Sequence, residues 1–553
     1  AVDGSRLWQW WWEHNKDRYL ARAAERGRIN PGSAYYWFGA GAKYPPREIV
    51  PVSESQRDST VLTTLRAGLR DRDASVRCEA CIALGRVGSI PVAAKDKQKG
   101  QPDDLVAREL IAVLEKEPTT TPQNREVRRS ACLAIGISGN ADACDYLLRT
   151  FAKATPDGRA NRVIAFGLAR HAPAIATLVE MLPKASREKP TEEQLAAVHA
   201  LGLYGPSIVP ELEKSGALRT LEKLANPNLA EDTAIQAVTA LGRLQQGLKE
   251  VKHAYQSGKS LDLRWAAVLA MAFYAHDEKD ASEAAKTLTT KCYKDGEGQT
   301  KNFSVLACGD LAWRLDPNSR VRESLLKHLR EAIDVKDNYV RSCASVALGL
   351  AGDATSVAAI AGLLEDASAS DYTVAAACLA LGLLRSTEHA ELVKNAVLLK
   401  PKWNADARGY AALGLALMGD TTRIDELREF HARRDLNDKT LRQTPLAIGV
   451  LGGKSEVKLL VEGFSKGWKQ NDRHAASNAA FGLGWMRDES AVGELSNLAT
   501  KSGERAVRGM AIVALGYCAA RDKVTPLSRC IENASFRNKF NHWELLEYIG
   551  AIL

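Results

Sequence analysis

Apolar positions return along this chain with a helical period, and residues 340–364 show the pattern most plainly. Val340, Cys343, Ala344, Ala347 and Leu348 stand at i, i+3, i+4, i+7 and i+8. That spacing gives a helix one apolar stripe. Gly349 and Gly352 interrupt it, and Asp353 is expected to cap a second helix by accepting from its free N–H groups. Val357, Ile360, Ala361 and Leu364 form the stripe of that second helix. One hairpin leaves an apolar flank open, so it requires neighbours of the same kind.

The unit recurs. Aligning on Gly349 gives fourteen copies, anchored at Gly85, Gly136, Gly167, Gly202, Gly242, Ala272, Gly309, Gly349, Gly382, Gly414, Gly449, Gly482, Gly516 and Gly550, 30 to 51 residues apart. Two positions before the anchor stands Ala in thirteen copies, the exception being Tyr548. The residue just before the anchor is always apolar. Small residues are needed where helix axes approach to about 8–10 Å, and their fixed recurrence marks a stacked array. The anchor glycines themselves are expected at helix ends, where positive φ is required.

The strings VRCEACIALGRVG (76–88), VRRSACLAIG (127–136), VRSCASVALGLAGD (340–353) and VRGMAIVALG (507–516) resemble HEAT repeats of the short bacterial type, similar to those of phycobilin lyases. The resemblance covers roughly residues 58–553. It implies an all-α, right-handed α-solenoid of about fourteen helical hairpins, with the second helix of each pair on the concave side. Asp73 with Arg77 and Asp337 with Arg341 then look like the structural Asp/Arg ladder between repeats.

Residues 1–57 stand outside the repeat. They hold Trp8, Trp10, Trp11 and Trp12, then Tyr35, Tyr36, Trp37 and Phe38 ahead of a Gly/Pro-rich stretch. These aromatics are expected to cap the exposed apolar face of the first repeat, or else to form a stacking surface for a partner. The opening 7–20 resembles the Trp-rich start of exported planctomycete-type HEAT-repeat proteins, a family with no function to transfer. Ala1-Val2-Asp3-Gly4-Ser5 reads as the product of leader removal. Export to the periplasm, cell surface or exterior is the expectation.

Composition adds exclusions. Aromatics are 6% of the 553 residues, as thin helix layers require, and the net charge of +8 (75 basic, 67 acidic) is a mild excess over so long a chain. No run of about 18 apolar residues is present to make a spanning helix. Ten His are scattered and never precede Glu, unlike the di-iron hydroxylase branch of HEAT proteins. No haem, zincin, phosphate-loop or nucleophile-elbow motif occurs. No cofactor and no metal are expected.

Cysteine is ambiguous. Cys78 and Cys81 form a C-x-x-C without a second pair to complete a zinc site, so they read as small core residues. In an exported chain the ten Cys allow disulfides, best placed as Cys132–Cys144 and Cys518–Cys530, with Cys292–Cys308 weaker. Pro445 should sit at the start of its helix.

Three functions follow as expectations. The first is a non-enzymatic protein-binding or structural scaffold, in an extracellular or periplasmic assembly or a filament built through two open ends. The second is a nucleic-acid-binding solenoid using Arg125, Arg128, Arg129, Arg159 and Arg162. The third is a lyase-like cofactor-attachment factor, supported by the repeat class alone.

Overall fold

The structure, a computed structural model, describes residues 7–26, 49–97, 101–118, 120–433, 443–469, 473–521 and 533. Among them the fold is all-α, an array of helical hairpins, with only two isolated bridges, Pro51–Asp488 and Pro91–Asp104. The chain divides into two compact units, named here for where their repeats lie in the sequence. The central unit is Ala1–Ile49, Val268–Met486 and Ala551–Leu553; the flanking unit is Val50–Ala267 and Arg487–Gly550.

Many of the helices start on a side-chain cap. Asp73 accepts from the Ser75 amide ahead of Ala74–Val87, and Asp104 from the Ala107 amide ahead of Leu105–Lys116. Thr121 accepts from Asn124 with Pro122 in the first turn, and Thr191 forms a capping box with Gln194. These residues satisfy N–H groups that have no partner inside the helix. Pro445 also lies in the first turn, of Thr444–Leu451.

The hairpin 340–364 departs from its sequence reading in two respects. The helix Asn338–Ala351 runs through Gly349 and ends at Gly352, whose φ of 74° needs the residue without a Cβ. At the N-cap position of Ala354–Ser356, the buried Asp353 carboxylate accepts from the Thr355 hydroxyl at 2.8 Å. It also takes both arms of the Arg330 guanidinium at 2.8 and 2.9 Å, a partner its local sequence does not announce.

The anchor glycines sit inside helices, where they admit the neighbouring backbone. A Cβ on Gly349 would stand 2.8 Å from Ala380 Cα, one on Gly309 2.6 Å from Ala347 Cα, and one on Gly136 2.6 Å from Ala165 Cα. In each case the neighbour is the Ala two positions before the next anchor. The recurring pair is one lock, closed between consecutive repeats.

The charged ladder has different partners from those expected. Asp73 and Asp337 cap their own helices, while the arginines reach the next repeat or loop. Arg77 meets Glu117 at 2.7 Å, Arg159 meets Glu193 at 2.8 Å, and Arg341 meets Asp366.

In the flanking unit the same lock joins the first repeat to the last described one. A Cβ on Gly516, in Arg505–Cys518, would stand 2.6 Å from Ala83 Cβ, and Gly68 lies against Ile512. Arg508 binds the Asp71 carboxylate at 2.7 and 3.0 Å, repeating the rung made elsewhere with the following repeat. The Arg86 guanidinium lies 3.7 Å over the Tyr517 ring, and the Arg521 amide donates to the Arg86 carbonyl. Fully buried Asp488 accepts from the Val50 amide, and the Glu489 amide donates to the Val50 carbonyl at 2.7 Å. A flank of the first repeat is therefore covered by the last described repeat; the aromatic cap expected at Tyr35–Phe38 and the open edge expected at the copy anchored on Gly550 lie outside the described residues.

In the central unit the long helices Gly298–Arg314, Asn338–Ala351, Asp371–Leu383 and Ala405–Met418 stand side by side in sequence order. Leu7–Arg26 packs on this row.

Candidate functional site

The helix Leu7–Arg26 contains neither Gly nor Pro before Arg26, and its buried positions recur at helical spacing: Trp8, Trp11, Trp12, Asn15, Lys16, Tyr19 and Leu20. Trp8, Trp11 and Trp12 are each at most 1% exposed. Burying such side chains supplies most of the docking energy, about 1.5–3 kcal/mol or more apiece. The Trp8 ring lies 4.9 Å from that of Tyr410, and Tyr19 meets Trp313 edge-on at 5.2 Å.

Two polar anchors fix the helix on the row. At one, the Glu13 carboxylate accepts from the Tyr410 hydroxyl at 3.1 Å and from the Gln443 amide at 3.3 Å, and pairs with buried Lys16. Burial pushes the Glu13 carboxyl upward, but Lys16 and these hydrogen bonds prevail and hold it below the usual range. At the other, Asp310, wholly buried, accepts from the Tyr19 hydroxyl at 2.9 Å, from Arg18 at 2.8 Å and from Arg314 at 3.2 Å. Burial, with Asp310 adding to it, raises the Tyr19 hydroxyl well above its ordinary value. The Arg18 guanidinium also stacks over Tyr19 and Trp313.

Among the described side chains of this helix, Trp8 Nε1, Gln9 Oε1 and Trp12 Nε1 are buried polar atoms without a hydrogen-bond partner. Each such atom costs about 1–3 kcal/mol. The helix is thus firmly held yet imperfectly matched to its surroundings.

Of the residues singled out from sequence, Trp8, Trp11 and Trp12 come together on this face. The Trp10 side chain lies outside the described residues, as do Tyr35, Tyr36, Trp37 and Phe38. Sequence reasoning missed Asp310, Tyr410 and Gln443. Asp310 did leave a signal, because it is the sole acid immediately after an anchor among the fourteen copies.

The thiols form no comparable site. Cys132 and Cys144 are both free and buried. Cys292 and Cys308 are free as well. Cys518 donates its thiol to the Asp488 carbonyl, and Cys530 lies outside the described residues. Burial pushes Cys78 up to about 12 and Cys81 well above its ordinary value, so neither supplies a thiolate near neutral pH.

The five arginines of the nucleic-acid reading are mostly engaged. Arg128 and Arg162 donate to helix-end carbonyls, Arg129 pairs with Glu126, Arg159 pairs with Glu193, and Arg125 is exposed. A cavity of about 300 Å³ in the flanking unit is lined by Glu222, Asn226, Glu250 and His253 among others. Among the described residues no group of three or more His, Cys, Asp or Glu is placed to hold a metal, and no helix is long and apolar enough to cross a membrane.

No family model matches the chain, and no curated protein does. Similar solved structures include the CpcE–CpcF complex of phycocyanin lyase from Nostoc sp. PCC7120, at 18% identity and TM-score 0.30 over 48% of this chain and 93% of that one. The karyopherin Kap121p bound to the SUMO protease Ulp1p is similar at 13% identity and TM-score 0.36, over 92% of this chain and 54% of that one. Human deoxyhypusine hydroxylase in complex with glycerol is similar at 18% identity and TM-score 0.22, over 51% of this chain and 97% of that one. The chain thus spans about half the length of Kap121p. The assignment of the fold rests on the helix pairing itself.

Proposed function

We propose that this chain is a non-enzymatic protein-binding scaffold, working without a cofactor as one subunit of a periplasmic or extracellular assembly. The observation that carries the reading is the Leu7–Arg26 helix held on the row of long helices through buried tryptophans and two polar anchors. It is an example, within the chain, of what a face of this array holds: an amphipathic helix. Protonated buried thiols and dispersed histidines support a role without catalysis. Binding through the faces of the long helices is supported by the cover that the first and last described repeats give one flank of each other.

The test is cross-linking in the cells that make the protein, with fractionation across the cytoplasmic membrane and mass spectrometry of the linked pairs. A stoichiometric protein neighbour, linked outside the cytoplasm to exposed positions on the long helices, is expected. Recovery of the protein without neighbours, or in the cytoplasm beside nucleic acid, would overturn the reading.

A further inference from the structure

We propose that the row of helices under Leu7–Arg26 is a binding site for a helix of another protein, and that the chain's own helix holds it as a tethered competitor. The partner's chemistry is an amphipathic helix with an aromatic face, carrying a carboxylate and an arginine five residues apart. This rests on the scaffold reading and names the partner for one of its faces.

Three observations converge on it. First, the row offers fixed, opposite polar anchors: the Tyr410 hydroxyl and Gln443 amide donate to a carboxylate, and buried Asp310 accepts from a guanidinium. Second, Asp310 stands where every other copy of the repeat has an uncharged or basic residue. A buried charge is a poor means of stabilising a fold, and an apolar residue would pack there at less cost, whereas a charge discriminates between helices. Third, the resident helix leaves Trp8 Nε1, Gln9 Oε1 and Trp12 Nε1 buried without partners. Native contacts selected for stability alone rarely leave such atoms grouped on one element. A helix that keeps the anchors but carries no orphaned donors fits the row better than the resident one.

The resident helix has the advantage of its tether. As part of the same chain it rebinds intramolecularly, which a separate partner must outcompete. A partner therefore wins by better fit or by local abundance, and the site is silent until then.

The test uses the full chain and a fluorescein-labelled peptide of residues 7–26 as the probe. Glu13→Gln with Arg18→Ala loosens the resident helix and leaves the row untouched. This variant is expected to bind the peptide at least ~10-fold more tightly than the wild type, because the tethered competitor is weakened. Adding Asp310→Asn is expected to reduce that binding ~10-fold or more. A loosened variant with unchanged helical circular dichroism that fails to bind the peptide overturns the proposal, as does binding indifferent to Asp310→Asn. Should the variant not fold, hydrogen exchange on the wild type decides. Amides of Leu7–Arg26 opening independently of Gly298–Arg314 support a displaceable helix, and exchange only together with them overturns it. Failure of either arm leaves the cross-linking test of the scaffold reading untouched, since that concerns any face.

Discussion

At the scale of single residues, Glu79 carries the plainest pH dependence. It lies on Ala74–Val87 so close to Arg505–Cys518 that a Cβ on Gly509 would stand 1.9 Å from its Oε2, an atom with no hydrogen-bond partner. Burial above all, then Asp73 and Asp71, pushes its carboxyl from 4.5 to about 8, against the pull of Arg505. The unfolded chain releases this proton near its ordinary value while the folded chain retains it. Stability therefore falls as pH rises from about 4.5 to about 8, and the loss levels off above that. Glu79→Gln is expected to flatten this slope. Urea melts should show it more stable than wild type at pH 8, by on the order of 1–3 kcal/mol given partial exposure, and little different near pH 4.5. An unchanged slope would acquit the carboxyl. Single residues were also where the sequence was least legible. Asp353 stands in a cap's usual place and bonds Thr355 there, and Arg330 approaches from another helix to share its carboxylate. Local spacing carries no record of that approach.

At the scale of the element, the repeat was legible because each long helix must satisfy the same demands twice, once per neighbour. Gly136 meets Ala165 Cα through backbone that cannot swing aside. Gly136→Ala is expected to cost about 1–3 kcal/mol in thermal or urea melts. Exposed Gly493, within Ser490–Lys501, has nothing within 4 Å of an added Cβ. Gly493→Ala is expected to stabilise by about 0.5–1 kcal/mol. Equal effects at the two positions would deny the lock its role. The Leu7–Arg26 helix was only half legible. Its tryptophans announce a face to be buried, and Tyr410 lies 397 positions from Glu13 with nothing in the sequence to join them.

At the scale of the whole molecule, the neighbour of the first repeat was hidden by the uniformity that revealed the array. Every copy offers the same small residues, so Gly516 reads no differently from Gly136, and sequence adjacency was the only guide to pairing. Asp71 and Arg508 report the outcome, with side chains 13% and 7% exposed. Burial works upward on the Asp71 carboxyl, but the bonds from Arg508 and from the Asp73 backbone prevail and hold it below the usual range. A double-mutant cycle with Asp71→Ala and Arg508→Ala is expected to give a coupling of about 1–3 kcal/mol. A cycle on Arg77 and Glu117, the equivalent rung between consecutive repeats, supplies the comparison. Coupling there but none between Asp71 and Arg508 would mean that the first and last described repeats do not meet in solution.

Their meeting imposes a schedule on synthesis. Asp71 and Arg508 are 437 positions apart. A ribosome adding about 5–20 residues per second takes roughly 20–90 s to pass from one to the other. Through that interval the flank around Ala83 has emerged and has no cover, so it is a natural client for a chaperone. A chain terminated before Arg508 would keep that flank bare permanently. A stop codon near the end of the message is thus felt in the first repeat to have been made.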